Sequence, residues 1–389
     1  MRIQSENGTI RHLTYCTNVH PAETPDEVAA VVRDIAAPIL HSVGGKGPVS
    51  LGLRLGEIAM NMIAADVSSG RLLDDVCAAS DSYPVTLNVF PQKTFQRDGL
   101  KGDVYLPSWS THARLSYTMS AARWLAERLP ENDPYGTLST VPLGWRGSTS
   151  LDACATHLVK AIAELARLEE ETGRQIALAL EPEPGCAFDR ASDAIRWWHE
   201  HLRPEARRFH LADAVVARHL GLCYDTCHAA VVFDDPAEDA KALDSAGIAV
   251  HKLQASSAPV IKFDEPSELD ALLSLDEPRF LHQVSIRGND GTMWRGDDLP
   301  ALRLARDLDE IPIRGEARCH FHVPVHVEAA PSFRTTQSTL VAALRAFPHV
   351  RHVEVETYTF DVLPQSLRQG GLAAMIREEL LYVRALISG

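Results

Sequence analysis

The stretch "LGLCYDTCH", residues 220–228, decides how the rest of the chain is read. In an extended segment Leu220, Leu222 and Tyr224 share one face, while Gly221, Cys223 and Asp225 share the other. One face is large and apolar. The other is small and turns acidic at its carboxyl end. On their own, Asp225 and His228 read as a turn or a helix cap.

The same pattern recurs along the chain. "VSLGLRLG" (49–56) sets Leu51, Leu53 and Leu55 against Gly52 and Arg54. "IALALEPEP" (176–184) sets Ile176, Leu178 and Leu180 against Ala177, Ala179, Glu181 and Glu183. "HVEVET" (352–357) opposes Val353 and Val355 to His352, Glu354 and Glu356. Strands whose apolar face lies under helices, and whose small face opens into a polar mouth, predict a (β/α)8 TIM barrel.

Further strands are expected at 12–20, 83–91, 137–145, 219–228, 248–257 and 352–360, with helical patterns between them. Thr24, Pro25 and Glu27 form an N-cap, a first-turn proline and a capping-box acid ahead of the stripe Val28, Val31, Val32, Ile35 and Ile39. A stripe from Leu151 to Leu165 runs on to Gly173, a helix-ending glycine, and a last helix passes through Met375, Leu380 and Ile387. No glycine-rich fingerprint follows the first strand, which argues against an open dinucleotide-binding sheet. The chain reads as one elaborated barrel over 1–389, with an insertion at 258–350 between strands seven and eight. Within that insertion, helices are expected near 265–274, 295–308 and 335–347, and strands at "FLHQVSI" (280–286) and "RCHFHVPVH" (318–326).

The 389 residues carry a formal charge of −14, which opposes a nucleic-acid partner. No apolar run is long enough for a membrane span, and no signal peptide is evident at the start. Seven cysteines without a repeated CxxC suggest neither a zinc ribbon nor a disulfide framework, so a cytoplasmic setting is expected. Cys223 and Cys227 read as small buried residues.

Glu181, Asp225 and Glu356 occupy comparable places at strand ends, with His228 beside them and Gln254 on the inward face of strand seven. An extended "HFHVPVH" puts His320, His322 and His326 on one face. Carboxylates and imidazoles gathered in one mouth suit a divalent ion such as Mn, Co, Mg or Zn, which would offset their mutual repulsion. Such a site supports proton transfer on a hydroxy-carbonyl substrate by carboxylates on opposite sides. Asn18, His20, Arg54, Asn88, Lys252 and His320 are the candidate substrate contacts. For Arg54 and Asn88 the alternative is hydrogen bonding inside the barrel, and for Lys252 it is an ion pair with a carboxylate.

The ordered set Glu181, Asp225, His228 and Glu356 resembles the xylose isomerase-like barrel superfamily of sugar isomerases, epimerases and endonuclease IV enzymes. The resemblance implies metal-ligand roles for Glu181, Asp225 and Glu356, and a ligand or substrate-contact role for His228. It also implies an acid/base pair in Glu181 and Glu356. The histidine of strand seven in that pattern is Gln254 here, and His322 of "HFH" is the candidate replacement. More closely, "HLTYCTNVHPAET", "STVPLGW", "LEPEPGC", "CYDTCHAAV", "KLQASSA", "HFHVPV" and "VEVETYTFDVLP" resemble the EboE family of metabolite traffic proteins. That resemblance implies a small polyhydroxylated metabolite, phosphorylated or not, in a secondary-metabolite pathway with partner proteins. A metal-dependent isomerase or epimerase is the leading expectation. A non-enzymatic metabolite carrier and an endonuclease IV-like phosphodiesterase are the alternatives, and a metal amidohydrolase is a weaker one because strand one lacks an HxH pair.

Overall fold

The computed structural model describes residues 1–4, 8–44 and 46–388. Eight parallel strands form its centre: β1 (Ile10–Tyr15), β2 (Val49–Arg54), β3 (Ser82–Asn88), β4 (Tyr135–Thr140), β5 (Gln175–Leu180), β6 (Leu220–Asp225), β7 (Val250–Ala255) and β8 (His352–Val355). They pair in the order β1-β8-β7-β6-β5-β4-β3-β2. A parallel bridge between Cys16 and Gly52 joins β1 to β2 and closes the ring. A short strand, Arg2–Gln4, adds antiparallel to the outer side of β1. The chain is therefore a closed (β/α)8 barrel.

Alternation along each strand sorts the side chains. Leu51, Leu53, Ile176, Leu178, Leu180, Leu220 and Leu222 are fully buried in the hydrophobic core, which extends into the surrounding helices. The inward set is small or polar. At Gly52 an added Cβ would stand 1.7 Å from a carboxyl oxygen of Glu354, so only glycine leaves room for that side chain. Helix ends follow local chemistry. Thr24 and Glu27 make the reciprocal capping box of helix Pro25–Val31, and Gly173 ends helix Leu151–Thr172 at φ +70°.

Between β7 and β8 the chain builds a second, antiparallel sheet of six strands. Its longer members are Pro259–Phe263, Val284–Gly288 and Gly315–Cys319. The helices expected there are present as the short helical turns Pro266–Leu269 and Asp270–Leu273, and as Leu299–Asp307 and Gln337–Ala346. Arg295 and Gly296, expected at the start of a helix, belong to strand Met293–Gly296, which pairs with Val284–Gly288. The strand expected over 318–326 ends at Cys319, and residues 320–324 run in irregular backbone. His320, His322 and His326 therefore do not share a strand face. His326 departs through the turn at 325–326 and is half-buried, within electrostatic reach of Glu378.

The last helix, Leu372–Ser388, locks two segments of the mouth together. Glu379 accepts hydrogen bonds from Val325 N (3.1 Å) and Thr357 Oγ1 (2.6 Å), which follow His322 and Glu356 respectively. Burial pushes the Glu379 carboxyl up to about 7. A folded-state value above the unfolded one gives stability that is complete below the unfolded range and lost as pH rises through about 7. Glu379→Gln, which is neutral at every pH, should raise Tm by about 2 °C at pH 8. Thermal unfolding of both proteins should show the gap closing toward pH 4.5; a gap independent of pH would contradict this.

Candidate metal centre

The carboxyl ends of β5, β6 and β8 deliver Glu181, Asp225 and Glu356 to one point. One oxygen from each lies within 4.8 Å of the other two. All three residues are buried, between 2% and 4% exposed. Burial, then the nearby Glu356 and Asp225, push the Glu181 carboxyl well above the usual carboxylate range. Burial, then Asp225 and Glu354, do the same to Glu356.

Asp225 serves two purposes with its two oxygens. Oδ1 accepts from the His228 backbone N–H (2.9 Å), capping helix Thr226–Val231, and from Ser256 Oγ (2.7 Å). Oδ2 is buried without a partner. The helix cap thus uses one oxygen and leaves the other without a partner. Glu356 Oε1 accepts from Asn18 Nδ2 (2.7 Å) and Asn88 Nδ2 (3.1 Å) at the ends of other strands.

The histidines are held in one tautomer. His228 Nδ1 lies 3.0 Å from Pro182 O, and His322 Nδ1 lies 2.7 Å from Glu356 O. Carbonyl oxygens only accept, so each Nδ1 carries the proton and each Nε2 keeps a lone pair. His320 Nδ1 lies 2.6 Å from Gln283 Oε1. The same Gln283 amide donates to Tyr105 Oη (2.9 Å), which donates to Glu183 Oε1 (2.8 Å), so the amide orientation is fixed by its neighbours. His228 Nε2 and His320 Nε2 then face each other at 3.0 Å. Two lone pairs at that distance repel until a proton or a cation stands at them. Burial pushes His322 down to about 4 and His320 well below the ordinary imidazole value, which keeps both neutral at neutral pH. A second imidazole nitrogen donating to a carbonyl is the usual setting of a metal-binding histidine.

The residues present fit a divalent cation. Glu181 Oε2, Asp225 Oδ2, His322 Nε2 and both side-chain polar atoms of Gln254 are buried without partners. Each unpaired buried polar atom costs about 1–3 kcal/mol, and the four acceptors among them, Glu181 Oε2, Asp225 Oδ2, His322 Nε2 and Gln254 Oε1, suit a shared cation. Gln254 stands level with Asp225 across the β6–β7 pairing. Two sets with mutually close ligand atoms meet here, Glu181–Asp225–Glu356 and Asp225–His228–His322, with Glu183–His228–His320 adjoining them.

Above this cluster opens a cavity of about 480 Å³ including its mouth. Asn18, Asn88, Glu181, His228, His320 and Glu356 line it, as do Glu183, Tyr105 and Tyr358, to which the sequence reading gave no role. The parity of "EPEP" and of "ETY" could have marked Glu183 and Tyr358. Nothing in the sequence marks Tyr105 or Gln283, which arrive from loops. Three of the candidate substrate contacts do not line the cavity. Arg54 bonds Glu23 (2.9 Å) and Lys93 O (2.6 Å), and His20 bonds Tyr15 Oη (3.0 Å). Lys252 is fully buried inside the barrel, 2.6 Å from Glu354 and 3.1 Å from Ser139 Oγ.

No protein-family model and no curated protein matches the chain. Solved structures resemble it at the level of fold. One, a xylose isomerase domain protein from Planctomyces limnophilus, has 9% identity and TM-score 0.47, covering 97% of this chain and 95% of its own. The 3-keto-D-glucoside 4-epimerase YcjR from E. coli has 13% identity and TM-score 0.46, with 96% and 99% covered. The IOLI protein, with a binding zinc atom, has 14% identity and TM-score 0.45, with 96% of each chain covered. These likenesses define neither substrate nor reaction for this chain.

The Lys252–Glu354 pair supplies a test of the barrel interior. Removing one partner strands a buried charge, so Lys252→Met should cost about 3–5 kcal/mol in denaturant unfolding. The double variant Lys252→Met/Glu354→Leu should recover most of that loss. Equal destabilisation of the two variants would show that the ion pair is not what the interior depends on.

Proposed function

We propose that the chain is a divalent-metal-dependent isomerase or epimerase acting on a sugar-like or cyclitol-like small molecule in the cytoplasm. The observation that carries this reading is the convergence of three buried carboxyl groups at a small cavity, with Glu181 Oε2, Asp225 Oδ2 and the tautomer-locked His322 Nε2 left without partners. Glu181, Asp225, Glu356 and His322 would hold the ion, with His228 and Gln254 at its edge. When bound, a divalent ion supplies positive charge that lowers the cost of an enediolate on a hydroxy-carbonyl substrate.

The remaining chemistry belongs to the side chains. Glu181 and Glu356 come from β5 and β8, and both have raised proton affinity in a buried setting. A carboxyl group held beside a substrate carbon can take up and return its proton. Glu356 is oriented by the amides of Asn18 and Asn88, so the two carboxyl groups can serve opposite faces of a substrate carbon.

The likeness of "LEPEPGC", "CYDTCHAAV" and "VEVETYTFDVLP" to the EboE family supports a substrate from secondary metabolism handled together with pathway partner proteins. It also sustains a second reading, a metabolite carrier on the same barrel. Gln254, where the isomerase pattern has histidine, favours that reading because an amide is the weaker ligand. The net charge of −14 disfavours a phosphodiesterase acting on nucleic acid, and no helix among the described residues is long and apolar enough to cross a membrane.

Asp225→Asn should abolish retention of Mn, Co, Mg or Zn by elemental analysis while leaving the far-ultraviolet spectrum unchanged. Undiminished metal in the variant would remove Asp225 from the site. Gln254→His should tighten metal binding about tenfold in chelator competition, because imidazole replaces an unpartnered amide; weaker binding would put residue 254 outside the coordination sphere. Solvent deuterium should appear at carbon in a panel of ketoses and inososes incubated with the metal-loaded protein. A carrier exchanges none.

A further inference from the structure

The cavity has two chemically distinct halves. Its floor is oxygen-rich, with Asn18, Asn88, Glu181 and Glu356. Its outer wall is apolar and aromatic. Phe95, Phe280 and Tyr358 pack on one another with ring centroids 4.9–5.3 Å apart, and Phe90 extends the wall toward Tyr105. These rings come from the segment after β3, from the insertion and from the segment after β8, so the fold brings them together only here.

The charge balance is equally one-sided. Among the described residues, Lys101 is the only lysine or arginine in the lining. Its ammonium has three N–H donors, and all three are taken, by Glu277 O, Phe280 O and Asp298 Oδ2, each at 2.8 Å. Away from the metal ligands, a phosphate group would therefore meet carboxyl groups and aromatic edges with no free lysine or arginine to hold it, whereas phosphate sites present arginine, lysine or helix N-termini.

We propose that the substrate is uncharged and amphipathic: a non-phosphorylated, oxygenated ring or chain carrying an apolar or aromatic arm. This rests on the isomerase reading for the oxygenated end. That end sits on the acidic floor against Asn18 and Asn88. The arm lies along Phe90, Phe95, Phe280 and Tyr358, where desolvation of apolar surface is favourable. The clasp between Lys101 and the insertion sets the position of Phe280 and so the width of the apolar slot.

The test is ligand binding to the full-length, Mn-loaded protein, read by calorimetry and by thermal shift, with the metal-stripped protein in parallel. The probes are methyl β-D-glucopyranoside, a series of phenyl and alkyl β-D-glucopyranosides, D-glucose 6-phosphate and inorganic phosphate. The phenyl and alkyl glycosides should bind at least about tenfold more tightly than the methyl glycoside, as burial of a ring or a short chain predicts. Both phosphates should bind no more tightly than the methyl glycoside. Phe280→Ser should weaken binding of the phenyl and alkyl glycosides more than that of the methyl glycoside and so remove the advantage of the apolar arm, while Phe280→Leu, which keeps an apolar wall, should retain it. Tightest binding by a phosphorylated probe, equal binding of methyl and phenyl glycosides, or no response to the phenyl and alkyl series would each overturn the proposal. A failed deuterium exchange with the affinity order intact would instead count against the isomerase reading alone.

Discussion

Three carboxyl groups from strands far apart in sequence are buried within reach of one another, and the geometry of the mouth follows from that constraint. Two ionised carboxylates 4.8 Å apart repel by about 3 kcal/mol at an effective dielectric constant of about 20. Burial and this repulsion together push Glu181 and Glu356 above the usual carboxylate range. The unpartnered oxygens and the His322 nitrogen around them are what a divalent cation would satisfy. One bound ion would offset the repulsion and fill the vacant hydrogen-bonding positions together.

The surrounding structure holds these groups in place by specific bonds. Asn18 and Asn88 fix Glu356, Ser256 and a helix N-terminus fix Asp225, and backbone carbonyls fix the ring orientations of His228 and His322. Deeper in the barrel, Lys252 and Glu354 form a buried pair, with Thr14 and Gly52 at the carboxylate. That pair fills the interior beneath the mouth with satisfied charge and puts a cation near the acid cluster; Lys252 lowers the proton affinity of both Glu181 and Glu356. Glu379 and the insertion add rigidity from outside, joining the segments that carry His322 and Glu356.

Much of this was legible in the sequence because a two-residue period is plain in β2, β5, β6 and β8. There large apolar residues face outward against small or acidic residues facing inward, and the acids that end β5, β6 and β8 located the carboxylates. The insertion was harder. "GEARC" carries two charges, so Gly315–Cys319 does not look like a strand until its neighbours pair with it. Alternation also misplaced His326, because Pro324 and the following turn break the period after His322. Tyr105 and Gln283 reach the site from loops, where no periodicity exists to expose them. Arg54 and Lys252 had the right inward parity, but each found an ionic partner, Glu23 or Glu354, away from the cavity wall.

A floor of oxygen ligands under an aromatic wall describes a site for small-molecule chemistry, with the barrel providing rigid strand ends and the insertion shaping access. The account stands on a cation being shared by those strand ends. The most direct measurement is anomalous diffraction at the manganese edge from crystals grown with Mn. The account predicts one strong peak within about 2.0–2.4 Å of carboxyl oxygens of Glu181, Asp225 and Glu356, with His322 Nε2 among the ligands. Crystals whose only manganese lies elsewhere, with the three carboxyl groups bonded to protein alone, would contradict it.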